Sequence, residues 1–137
     1  MTRARTERRG RRRLRWEPDR GSTTLETVMQ TSVWLLSLLL GVQVAVWGLA
    51  ELACYYAANH ALQTTRVQGG TADAGRTDAI TVIGWLDGSL LTGVQVQADR
   101  GAATATVTVS GTAATVVPFL ALPVGVTATG PVETLNP

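Results

Sequence analysis

Few side chains in this 137-residue chain are equipped for chemistry. There is one cysteine, Cys54, and one histidine, His60. Six positions apart on a helix they point roughly opposite ways, so they do not form a metal pair, and a single thiol rules out an intrachain disulfide. No nucleophile stands beside a base and oxyanion donors, so the sequence predicts no enzyme, no cofactor and no metal site. The remaining polar groups sit in apolar company. Thr23-x-x-Glu26 fits a capping box, in which hydroxyl and carboxylate satisfy the first free amides of a helix. Gln30 and Gln43 place amides inside an apolar run, where a partner helix would satisfy them. Ser37, Gly41 and Ala45 recur every four residues, making a stripe of small side chains that a second helix can approach closely. This is the chemistry of assembly rather than of turnover.

The element that must carry these groups runs from Gly21 to Arg66 and reads as one long helix. Thr27 to Ala50 is 24 residues without a charge, closed by Glu26 and Glu51. At about 1.5 Å per residue that is about 36 Å, enough to cross a hydrocarbon core of about 30 Å. Trp34 and Tyr55, about 32 Å apart by helical rise, suit the two interfaces, with Trp47 deeper and facing lipid or a neighbour. The apolar run exceeds that of a secretory signal and has no polar cleavage region behind it, so the helix is expected to be retained.

Charge is divided unevenly along the chain. Residues 1–21 carry nine Arg against Glu7, Glu17 and Asp19, a net +6, whereas the rest of the chain is −4. A basic leader before an apolar helix holds the N-terminus in the cytoplasm and sends the C-terminus out. Nucleic-acid binding by this arm is disfavoured, because only Trp16 is interleaved with the arginines. All twelve basic residues are Arg, which suggests a GC-rich bacterial genome.

Beyond Glu51 the helical pattern continues, with Tyr55, Ala58, Leu62 and Thr65 inward and Asn59, His60, Gln63 and Arg66 in water, Arg66 as a helix-end cation favoured by the dipole. Gly69-Gly70 ends it. Thr71 caps a second helix to about Leu86, with Ala79, Ile80, Ile83 and Leu86 inward and Asp73 paired to Arg76. From Gly93 the period becomes alternating. Val94, Val96 and Ala98 form one strand, Ala103 to Ser110 a second across a turn at Asp99-Arg100-Gly101, and Val124 to Thr129 a third. The apolar segment Val116 to Pro123 is a loop, since its prolines exclude it from a central strand; it covers the sheet, the favoured reading, or presents a sticky surface to a partner or the membrane.

Gly21-Ser22-Thr23-Thr24-Leu25-Glu26 followed by a long apolar helix resembles the processing region of type IV pilin-like proteins. The closer likeness is to the TadE-like pseudopilins of the tight-adherence system. Those share the Gly-x-x-x-x-Glu start, one apolar helix, and a helical run rich in Tyr, Ala and Gln with a later Arg, here Tyr55 to Arg66. The likeness covers residues 21 to about 70 and, beyond them, only the general plan. It implies cleavage by a prepilin peptidase between Gly21 and Ser22, with Glu26 pairing with a neighbouring subunit's new N-terminal ammonium in the membrane. Such a pair would fix axial stagger and is compatible with the capping role. Thr27 stands where tight-adherence pilins usually carry Tyr, and Ser22 where most type IV pilins carry a bulky apolar residue. Both departures point away from a major filament subunit.

The sequence thus predicts an α+β, pilin-like plan: a basic cytoplasmic leader over 1–21, a transmembrane and extended outer helix over 22–70, and a small extracytoplasmic domain of a short helix and an antiparallel sheet over 71–137. The expected function is that of a minor or accessory pseudopilin of a tight-adherence pilus or secretion machine in the bacterial cytoplasmic membrane or at the cell surface. Its expected partners are other pilins or pseudopilins, in a homo- or hetero-oligomer. The alternative is an uncleaved single-pass binding protein outside any pilus.

Overall fold

The computed structural model describes residues 20–86 and 89–134, and only the backbone of 20–22. The basic leader up to Asp19 lies outside the described residues. The architecture is α+β: α1 (Arg20–Arg66), α2 (Ala72–Trp85), then β1 (Leu91–Arg100), β2 (Thr104–Ala113) and β3 (Pro123–Pro131). The three strands form an antiparallel meander with β2 in the middle. The described residues divide into two units between Trp34 and Leu35, and α1 contributes to both.

The first turn departs from expectation. α1 begins at Arg20, so Thr23 lies inside the helix and Thr23-x-x-Glu26 is not a capping box. The carbonyl of Thr23 instead accepts the hydroxyl of Thr27, and Thr31 and Ser32 bond back one turn in the same way. Hydroxyls folded onto their own helix in this manner present little polarity to an apolar solvent.

The core is built on one narrow face of the C-terminal part of α1. Ala50, Ala53, Cys54, Ala57, Ala58, Ala61, Leu62 and Thr65 are all buried, at helical spacings of three and four. Because most of these side chains are small, the helix can lie close against the inner face of the sheet, whose Ala105, Val107, Val109, Ala113, Val124 and Ala128 complete the same cluster. Tyr55 is one step out of phase and is exposed, edge-on to Tyr56 with ring centroids 6.1 Å apart. The opposite face of the sheet is polar, and Thr106 meets Thr129 and Thr108 meets Thr127 across β2 and β3.

Length as well as chemistry matches helix to sheet. Arg100, at the end of β1, donates to the carbonyl of Thr65, and the amide of Glu133 donates to the carbonyl of Arg66 at 2.9 Å. The other end of β2 meets α1 at Gln43, through Ala114. From Thr65 back to Gln43 the helix rises about 33 Å, and ten residues of β2 at about 3.3 Å each span the same distance. The β1–β2 turn therefore lies at the C-terminal end of α1, and the β2–β3 loop lies at Gln43.

Several local expectations change for identifiable reasons. Arg66 is half-buried rather than solvated, its Nε donating to Gln63 at 2.8 Å and its Nη2 3.8 Å from Glu133. Among the described residues Arg66–Glu133 is an ion pair and His60 hydrogen-bonds Asp78, whereas Asp73 and Arg76 do not pair. Of the residues expected inward on α2, Ala79 and Ile83 are buried but Ile80 and Leu86 are exposed, and Gly75 and Val82 are buried in their place. Val94 is exposed because a bulge between Thr92 and Gln95, with Gly93 at φ 62°, turns that part of β1 outward; Leu91 takes the buried position.

The inward face of α2 begins at Gly75 because that is where the two helices cross. A Cβ there would stand 1.9 Å from Thr65 Oγ1, itself tied to the carbonyl of Ala61. Thr71 caps α2 by accepting the amide of Ala74, as expected. Gly75→Ala should therefore lower stability by about 1–3 kcal/mol through overpacking. Gly84→Ala, with nothing within 4 Å of its Cβ, should leave stability unchanged or raise it by up to about 1 kcal/mol. Thermal unfolding of the two variants in detergent, followed by circular dichroism, checks this ordering.

Candidate functional site

Two surfaces of α1 within the unit Leu35–Pro137 carry the functional argument, and they face opposite ways. The first is held by the folded unit. Gln43 is 0 % exposed although it stands in an apolar helix. Its Oε1 accepts the amides of Val116 at 2.7 Å and Val117 at 3.0 Å, and its Nε2 donates to the carbonyl of Ala114 at 3.2 Å. One turn on, the indole of Trp47 donates to the carbonyl of Pro123 at 3.2 Å. Two side chains at i and i+4 thus grip both ends of the β2–β3 loop.

This corrects two expectations. Gln43 does not wait for a partner helix, and Trp47 is not a free lipid-facing ring; the protein's own loop satisfies both. Nor does the apolar loop simply cover the sheet, since Phe119 at its tip is fully exposed. The signal was legible in the spacing, because Gln43 and Trp47 share a helix face with Ala50, Cys54, Ala57 and Ala61. The absence of charge along the run masks that signal, because composition alone assigns the run to lipid.

The second surface is the stripe. Ser37, Gly41 and Ala45 are all exposed, and a Cβ at Gly41 would meet nothing within 4 Å. At 100° per residue they lie on average about 160° around the helix from Gln43, on the side away from the sheet. Leu35, Leu36, Leu38, Leu40, Val42 and Val44 surround them and are exposed as well. α1 is long and apolar enough to cross a membrane. In the unit ending at Trp34, Glu26 is exposed and borders a shallow depression with Leu25, Met29, Gln30 and Val33. Gly21 and Ser22 lie in the first turn of α1.

Groups capable of reaction are engaged structurally. His60 Nδ1 lies 2.6 Å from Asp78 Oδ2, which also accepts the Thr64 hydroxyl at 2.7 Å, so the three link α1 to α2. Beside them a groove of about 510 Å³ is lined chiefly by Tyr56, Val82, Trp85 and Leu86. Among the described residues no group of His, Cys, Asp and Glu is arranged to hold a metal ion. Burial pushes the Cys54 thiol above its usual range, and the Glu51 carboxylate pushes it further the same way. A buried, protonated thiol is a poor nucleophile.

Cys54 should accordingly resist a maleimide in the native protein and react at the rate of a free thiol once unfolded, as mass spectrometry of the adduct will show. Replacing Gln43 with Leu should lower stability by on the order of 2 kcal/mol, because two amides and a carbonyl lose their partner. Hydrogen exchange at Val116 and Val117 should accelerate in that variant ahead of exchange in β2. No family model, no curated protein and no solved structure matches the chain.

Proposed function

We propose that this protein is an accessory, pseudopilin-like subunit that assembles through α1 in the bacterial cytoplasmic membrane, with its N-terminus in the cytoplasm and its folded unit outside. One observation carries the reading. The folded unit grips a single face of α1, and the small residues Ser37, Gly41 and Ala45 point away from it. A neighbouring helix can therefore lie along the stripe without meeting the sheet of its own subunit. In a lipid solvent, where burial of apolar surface gives little net drive, such close approach is what favours association.

The rest of the reading comes from the N-terminal end of the helix. The charge asymmetry of the sequence sets the orientation. Gly21-Ser22 and Glu26 supply the processing site and the assembly carboxylate that the resemblance to TadE-like pseudopilins implies. Cleavage by a prepilin peptidase would remove the basic leader and leave an ammonium at Ser22, for which Glu26 of an adjacent subunit is the partner. The expected partners are other pilins or pseudopilins, in an adhesive pilus or a secretion machine.

A second reading is favoured by Gln43. Because that amide is satisfied within the chain, one of the two polar groups that would have called for a partner helix no longer does so. An uncleaved, membrane-anchored binding protein is consistent with this. The mature N-terminus separates the two: intact-mass analysis of the protein from native membranes should find a chain beginning at Ser22. A chain that retains the leader would count against processing and leave the anchored binding protein as the better reading.

A further inference from the structure

The β2–β3 loop carries the most exposed large apolar side chain among the described residues, and the fold holds it in place. Phe119 is fully exposed and sits at φ 70°, a left-handed conformation that a bulky side chain adopts only when its surroundings impose it. The surroundings are the Gln43 and Trp47 hydrogen bonds at the two ends of the loop and the turn bond from the amide of Leu120 to the carbonyl of Val117 at 3.1 Å. No charged residue occurs between Arg100 and Glu133.

The level of the loop along α1 names its occupant. Ala114, Val116 and Val117 are bonded to Gln43, and the side chains that precede Gln43 on the helix, Leu35 to Val42, are exposed and, Ser37 aside, apolar. Counting forward from Thr27, the first residue after Glu26, about 20 charge-free residues of α1 make up the length of one hydrocarbon core. That places the outer boundary of the bilayer near Trp47, one turn beyond Gln43, so the loop held by these two residues projects at that boundary. An aromatic side chain flanked by Pro118, Leu120 and Ala121 suits that boundary.

We infer that the Phe119 loop is a second membrane contact, docking into the outer bilayer interface beside α1. The inference rests on α1 being the membrane span. A helix alone leaves the folded unit free to rotate and tilt about its axis. A second contact, on the Gln43 side, fixes which side of α1 faces lipid under the domain and which faces a neighbour.

The test uses the full chain with Cys54→Ala, reconstituted in phosphatidylcholine–phosphatidylglycerol vesicles. A nitrobenzoxadiazole fluorophore is placed in turn at Leu38→Cys, Ala121→Cys and Thr127→Cys, and quenching by lipid spin-labelled near the headgroup is read. The Ala121 position should be quenched several-fold more than Thr127, and adding Phe119→Asp should return it toward the Thr127 level. If Leu38 is quenched while Ala121 behaves like Thr127, the loop stays in water and the inference falls while the span stands. If Leu38 itself is unquenched, the span reading fails and takes the inference with it. Quenching at Ala121 that survives Phe119→Asp would show that Phe119 does not carry the contact.

Discussion

The fold turns on one buried amide. Gln43 occupies a position where a helix passes from an uncovered, apolar stretch to a stretch packed against protein, and its three hydrogen bonds close the end of the sheet onto the helix at that point. An unpaired amide there would be costly whether it faced lipid or an apolar core. The loop therefore cannot slide along α1 without exposing that cost. With Arg100 and Glu133 bonded to the last carbonyls of the helix at the other end, the sheet is held at both of its ends.

Between those ends the constraint is steric rather than polar. A helix that must also be apolar enough for a membrane cannot advertise its packing face by hydrophobicity alone. The chain distinguishes the two kinds of surface by size. Alanines and Cys54 face the sheet, where close approach yields dense packing, whereas leucines, valines and Trp34 cover the uncovered stretch. Gly75 extends the same device to α2, admitting Thr65 where any Cβ would collide.

This division explains what could be read from the sequence and what could not. The alternating run of Ala105, Val107 and Val109 against threonines, the Thr71 cap and the end of α1 near Gly69 are local signals, and the fold follows them. The face of α1 is a tertiary matter. Leu62 and Thr65 fit an amphipathic pattern, but hydropathy also places Tyr55 inward because a large ring is a strong hydrophobic signal, while the packing buries the smaller Cys54 beside it. Likewise Gln43 and Trp47 lie in a run with no charge, so composition assigns them to lipid. Only their phase, shared with Ala50, Cys54, Ala57 and Ala61, ties them to the folded unit. Ile80 and Leu86 fail for the same kind of reason, since the face of α2 is set by the crossing at Gly75 rather than by hydropathy.

The helical phase that ties Gln43 to the sheet also governs how assembly through α1 would work. Residues facing the sheet and residues in the stripe are about 160° apart at 100° per residue, so covering one leaves the other bare. A neighbour's helix approaching Gly41 closely would meet Ser37 and Ala45 above and below it and leucines on either flank, with no polar group of the folded unit in its path. Had the sheet gripped α1 a third of a turn further round, it would have overhung the stripe. The grip that stabilises the folded unit is thus the same feature that leaves the Ser37–Gly41–Ala45 stripe uncovered, and a change in the phase of Gln43 relative to Gly41 would trade one against the other.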